Sequence, residues 1–357
     1  MEIGSEFWIE RDLEENISYK SQNWLNKYGE IVLTSSGRGA ISLLLSELIK
    51  PRFKKVLLPS YLCESIILPF VKAEYEIIYY NVDEFFSICI EDIIKNSEVD
   101  IFFHMSYFGF ATNNNLNEII SYLKSKSVII FEDVTHSLFS SQVNQFDNDY
   151  VCGSIRKWFG VPGGGFLASK KNIDVELAEG GYEFINLRKS SLLLKKEYMQ
   201  NNNKALKEKF LSGFNEAEKI LDKDIKPYKI DDYSELIIKS IDSNYIYDNR
   251  RKNYMYLLEN LKQIKAIKII FSNIEEGFVP MFFPIYIKNH RDTLRKVLTE
   301  KMVYCPIHWS VPSQLEGKID NANHIMYNSI LSIPCDQRYK VEDMENIVTI
   351  IKNFFKE

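Results

Sequence analysis

Residues 128–165 read VIIFEDVTHSLFSSQVNQFDNDYVCGSIRKWFGVPGGG. The stretch opens on four apolar residues, Val128 to Phe131, closed by Glu132 and Asp133. A short apolar run that ends in polar residues reads as a parallel strand buried on both faces. In open α/β sheets, ligands sit beyond the carboxyl ends of such strands. Asp133 is therefore expected to project into a site, with His136 three residues on. Tyr150, Val151 and Cys152 make a second strand-like run, followed by Ser154, Arg156 and Lys157, then by Gly163, Gly164 and Gly165.

Taken singly, these are a strand-end aspartate, a surface lysine and a glycine turn. Taken in this order they suit pyridoxal 5'-phosphate (PLP). That cofactor needs a lysine amine for its Schiff base and a carboxylate against its pyridinium nitrogen. Its phosphate needs small residues and backbone N–H groups at a helix start. FEDVTHS followed by SIRKWFGVPGGGF resembles the core of the DegT/StrS family of PLP-dependent sugar aminotransferases. In that family a strand-end Asp is followed by Gln or His, then by the Schiff-base Lys and a Gly-Gly pair. The matching positions here are Asp133, His136, Lys157, Gly164 and Gly165. The family's usual serine before the lysine falls on Cys152, and Ser154 is the expected substitute.

The resemblance implies an α/β, fold type I PLP-dependent transferase. A large domain (1–245), with a mainly parallel mixed sheet between helices and an N-terminal arm, precedes a smaller α+β domain (246–357). The implied reaction moves an amino group from an amino-acid donor, glutamate or glutamine, to a keto-sugar, nucleotide-linked in the family. Lys157 and Asp133 are the implied catalytic residues, and a homodimer is implied as well.

Upstream, Ser35, Ser36 and Gly37 break the chain before an apolar helix over Ala40 to Leu48. Such a turn offers unpaired N–H groups to an anion, and Arg38 adds a planar charge; an ordinary N-cap serine is the alternative. The resemblance puts the cofactor phosphate at Ser36, Gly37 and Arg38, although Arg38 stands where the family has a hydroxyl. Strands are expected at Val56 to Leu58 and near His104, which reads as a core histidine, with helices over Glu64 to Val71 and Leu116 to Leu123. Tyr61, just past the first of these strands, is a candidate to stack on the pyridine ring or else a core tyrosine. Residues 7–29 read as an arm and a helix without chemistry.

Downstream, 172–240 reads as largely helical with solvated faces. The family's Gly-x-Asn-x-Arg segment is missing there; Asn186-Leu187-Arg188 is a faint echo. A helix over 248–264 leads to alternating strands and helices. His308 and Trp309 are candidates for substrate contact or a packed aromatic corner, and Arg338 is a candidate for a substrate carboxylate or phosphate.

Composition sets bounds. The 357 residues are 45% hydrophobic and 26% charged, which suits a globular chain. A net charge of −5 implies no general nucleic-acid affinity. No run is long enough to cross a membrane, and the acidic start is unlike a signal peptide. Five scattered cysteines without CxxC point away from disulfides or zinc and toward a cytoplasmic setting. No P-loop, GxGxxG, HExxH or GxSxG motif occurs, so no metal is expected. Two other classes stay open: a PLP enzyme of another reaction type (decarboxylase, lyase, dehydratase, or transaminase of a small phosphorylated ketone), and a non-catalytic regulator on the same fold.

Overall fold

The computed structural model describes residues 2–10, 24–113, 115–141 and 146–356. Its centre is a seven-stranded sheet formed by β2 (Glu30–Thr34), β3 (Lys55–Pro59), β4 (Glu76–Tyr80), β5 (Ile101–Met105), β6 (Ile129–Asp133), β7 (Tyr150–Ser154) and β8 (Gly165–Ser169). The strand order is β2-β8-β7-β6-β5-β3-β4. Only β8 runs against the others, pairing antiparallel with both β7 and β2. This is the mainly parallel mixed sheet expected from the sequence. The apolar runs form it because strands buried on both faces must be hydrophobic throughout: β5 and β8 contain no exposed residue.

Strand periodicity then divides the polar residues between the two faces. Met105 lies in register with Asp133, and His104 with Glu132, on opposite sides of the sheet. His104 is fully buried, and its Nε2 lies 2.9 Å from Asn148 Oδ1, so it is the core histidine expected.

Helices α1 (Gly37–Leu43), α2 (Glu64–Lys72), α3 (Ile90–Lys95) and α4 (Leu116–Ser125) connect the parallel strands. After β8 come two 20-residue helices, α5 (Tyr182–Asn201) and α6 (Lys204–Lys223), packed as a hairpin. Helix α7 (Asp232–Lys239) precedes α8 (Ser243–Leu261), so the expected domain boundary at 245/246 falls in the first turn of α8. The C-terminal part holds an antiparallel sheet of β9 (Lys268–Ile269), β10 (Phe283–Tyr286) and β12 (Ile330–Ile333). Around it lie α9 (Arg291–Glu300), α10 (Asn321–Ser329) and α11 (Val341–Phe355).

The N-terminal segment returns to this part: β1 (Ile3–Gly4) pairs in parallel with β11 (Val303–Tyr304). Of the helix expected within 7–29, residues 11–23 lie outside the described residues; Asn26–Tyr28 form a single 3-10 turn. Among the described residues no helix is long and apolar enough to cross a membrane.

Candidate active site

A cavity of about 460 Å³ opens at the carboxyl ends of β3, β5, β6 and β7. Asp133 and Lys157 both line it. Asp133 is the last residue of β6 and only 4% exposed; Lys157 ends the short turn after β7 and is exposed. Thr135, which sequence reasoning passed over, locks the two strand ends together. Its N–H donates to Asp133 Oδ1 (2.7 Å), its Oγ1 accepts from Ser154 N–H (2.9 Å), and its carbonyl accepts from Trp158 Nε1 (2.7 Å).

Burial pushes the Asp133 carboxyl up to about 6, and the bonds from Thr135 only partly offset it. No cation faces this carboxylate among the described residues. The folded-state pKa lies above the ordinary 3.8, so the folded chain holds the extra proton between about pH 4 and 6. Stability from this group is full below that window and is lost as pH rises through it. Asp133→Asn is thus expected to stabilise the cofactor-free protein at pH 7.5, by at most about 3 kcal/mol, and not at pH 4. Urea unfolding at the two pH values reads this; equal gains at both would contradict it. A pyridinium N–H⁺ is the partner such a carboxylate lacks, so Asp133 fits PLP.

His136 is buried and accepts a hydrogen bond from Phe108 N–H at Nδ1 (3.3 Å). Burial, then the Lys157 ammonium, push it down to about 3. The ring is therefore neutral and carries its proton on Nε2, leaving a donor for a ligand oxygen.

The turn at 35–37 and the glycine run fit into each other. Gly164 N–H donates to Ser35 O (2.9 Å), and a Cβ on Gly165 would lie 2.2 Å from Ser36 O. The glycines are there for close backbone approach. Ser36 does not reach the cavity: its Oγ caps α1 by accepting from Gly39 N–H (3.0 Å). The cap uses one lone pair of that oxygen and leaves the hydroxyl proton able to donate elsewhere. Gly37, Arg38, Ser154 and Arg156 line the cavity.

Tyr61 is also corrected. It is fully buried, within 4.6–5.9 Å of the rings of Tyr327, Trp309, Phe86 and Tyr107, while Cys63 lines the cavity instead. Tyr61 backs Trp309, which also lies against His136 at 5.2 Å and His308 at 5.6 Å. His308 and Trp309 line the cavity, with His308 Nδ1 2.8 Å from Ser332 Oγ. Arg338 lines it too, but its guanidinium is committed as a bidentate pair to Asp336 (2.8 and 2.9 Å) and to the carbonyls of Ser5 and Glu6. It ties down the N-terminal segment rather than waiting for a substrate anion.

The unexpected part of the site comes from α5, α6 and residues 4–7. Arg156 and Arg188 both reach Glu218 Oε1 (2.9 and 3.1 Å), Arg38 reaches Oε2 (3.2 Å), and Arg188 also pairs with Glu6 (3.2 Å). Burial opposes ionisation of Glu218, but Arg156, Lys157, Arg188 and Arg38 overcome it and hold the carboxyl well below the usual range. The Nε atoms of all three arginines are buried without an acceptor.

No family model and no curated protein matches this sequence. Solved structures do match. The Helicobacter pylori PseC, an aminotransferase involved in pseudoaminic acid biosynthesis, superposes with a TM-score of 0.69 over 100% of both chains at 12% identity. A DegT DnrJ EryC1 StrS aminotransferase from Brucella abortus gives 0.65 at 15% identity, covering 98% of this chain and 92% of that one. A putative sugar aminotransferase of Streptococcus pneumoniae, Spr1654, in its PLP form, gives 0.66 at 11% identity, covering 98% and 93%. The chain therefore has the fold of the PLP-dependent aminotransferases of fold type I. One of these neighbours, from Brucella abortus, carries the DegT and StrS family names.

Proposed function

We propose that this chain is a PLP-dependent aminotransferase that moves an amino group from an amino-acid donor, glutamate or glutamine, to a keto-sugar in polysaccharide or related sugar biosynthesis. A nucleotide-linked acceptor, a homodimer and a cytoplasmic setting complete the reading; the resemblance supports them. The observation that carries it is the buried Asp133 carboxylate without a cation, lining the same cavity as the exposed amine of Lys157. The fold neighbours support the class: they are aminotransferases, one of them solved in its PLP form.

When bound, PLP supplies the electron sink that no side chain offers. The chain's residues supply the rest. Asp133 would hold a proton on the ring nitrogen. Lys157 would anchor the cofactor and move a proton as general base and acid. The Nε2 proton of His136 would be free to donate to a cofactor oxygen. Gly37, Arg38, Ser154 and Arg156 hold the phosphate, with charge the family does not use at the position of Arg38. Trp309, His308 and the neutral face around them receive the acceptor.

Purified protein supplied with PLP is expected to gain visible absorption and to lose it when glutamate is added, with 2-oxoglutarate released. Carbon dioxide in place of the keto acid would support a decarboxylase. Absorption indifferent to every amino acid would support a non-catalytic protein.

A further inference from the structure

Glu6 lines the cavity from the N-terminal segment, a stretch without any chemical motif. Its Oε2 pairs with Arg188 Nη2 at 3.2 Å, while Arg188 Nη1 holds Glu218 at 3.1 Å. The two carboxylates are not equivalent. Glu218 is pinned by three arginines, through both of its oxygens. Among the described residues Glu6 is held by one, through Oε2, and its side chain is 39% exposed. Its backbone is fixed, since Arg338 Nη1 (3.1 Å) and Lys195 Nζ both donate to Glu6 O. The side chain can therefore swing while the segment stays in place. Arg188 cannot follow: it is 3% exposed and its guanidinium lies 5.1 Å from the Phe214 ring centre.

The place of this pair matters. Glu6, Arg188 and Lys157 line one cavity, and there Arg188 and then Lys157 outweigh burial and hold the Glu6 carboxyl below its usual range. An amino acid that reacts at this lysine carries its carboxylate one carbon from its amine. The cation that reads that carboxylate must stand close to Lys157. Arg338 is committed to Asp336, and Arg250 donates to Gln337 and to backbone carbonyls. Arg38 and Arg156 hold the pinned Glu218, and Arg295 donates to Cys305 O; among these cavity arginines Arg188 alone holds a cavity-lining carboxylate that has a single cation on a single oxygen.

We propose that Glu6 is an internal occupant of a carboxylate subsite on Arg188, and that the donor's carboxylate displaces it there. The inference rests on the aminotransferase reading for the identity of the donor. It makes Glu6 a determinant of donor affinity: each donor pays for removing a tethered competitor, and the apparent affinity falls by the fraction of time that Arg188 is free.

Glutarate, which has glutamate's carboxylates and no amine, is the probe, titrated by calorimetry into the full-length protein with PLP present. Glu6→Gln and Glu6→Ala are each expected to lower the dissociation constant about tenfold, and Arg188→Gln to raise it by at least about tenfold. Unchanged or weaker binding in both Glu6 variants, with their melting curves unaltered, overturns the proposal. So does unchanged binding in Arg188→Gln. Visible absorption is recorded on the same samples: its absence in the wild type defeats the cofactor reading, while the glutarate constants still decide the exchange on Arg188.

Discussion

Replacing Lys157 with alanine is expected to abolish turnover and leave the chain folded. The side chain is exposed at the cavity wall and makes no hydrogen bond or ion pair among the described residues, so its removal deletes little packing. The turn that carries it is held by its neighbours: Ile155 N–H donates to Gly164 O (3.0 Å) and Trp158 Nε1 to Thr135 O (2.7 Å). Stability should stay within about 0.5 kcal/mol, as for exposed positions elsewhere. Turnover should fall by about 10⁴-fold or more, since in the proposed mechanism one amine both anchors the cofactor and transfers the proton. Borohydride reduction of the PLP-loaded wild type, followed by peptide mapping, should place the label on Lys157. A label on another lysine, or a variant retaining a tenth of the wild-type rate, would end the assignment. Some loss of charge balance is expected too, because Glu6 and Glu218 both owe part of their ionisation to this ammonium.

The parts of the site that could be read from sequence are those written in local pattern. An apolar run with a polar end places Asp133, and a second such run places Ser154 and Lys157, because strand burial and the location of ligand sites in α/β sheets are general rules. Direction within a turn is not written locally. Tyr61 follows β3 as expected, yet its ring packs into the aromatic core and Cys63 takes the cavity wall. Arg338 was legible as a guanidinium near the site, but its partners Asp336, Ser5 and Glu6 are a matter of tertiary contact.

The α5–α6 hairpin hid most. Arg188, Leu192 and Lys195 repeat at helical spacing, which in a charged helix reads as a solvated face. All three are buried, because Glu218, Glu6 and Glu2 arrive from elsewhere to pair the charges. A partner 30 residues away on another helix, or 182 residues away at the N-terminus, leaves no periodic trace.

A second large effect is expected far from any reacting atom. Gly165→Ala should destabilise the protein by about 3 kcal/mol or more. Gly165 begins β8, paired with Ser154 on one side and Thr34 on the other. A Cβ there would stand 2.1 Å from Ser36 C and 2.5 Å from Gly37 N. Those are backbone atoms of the turn that opens α1, so no rotamer change can make room. Either β8 leaves its register between two strands, or the turn at 35–37 moves off the sheet and loses the bond from Gly164 N–H to Ser35 O. The second outcome displaces Gly37 and Arg38, so weaker PLP retention should accompany the lost stability. Gly317→Ala is the control: nothing lies within 4 Å of its Cβ, and only its positive φ of 72° is at stake. That change should cost about 1 kcal/mol. Urea unfolding of both variants separates the two causes. Should Gly165→Ala unfold no more readily than Gly317→Ala, the close approach of turn and strand would not be what fixes the turn at 35–37.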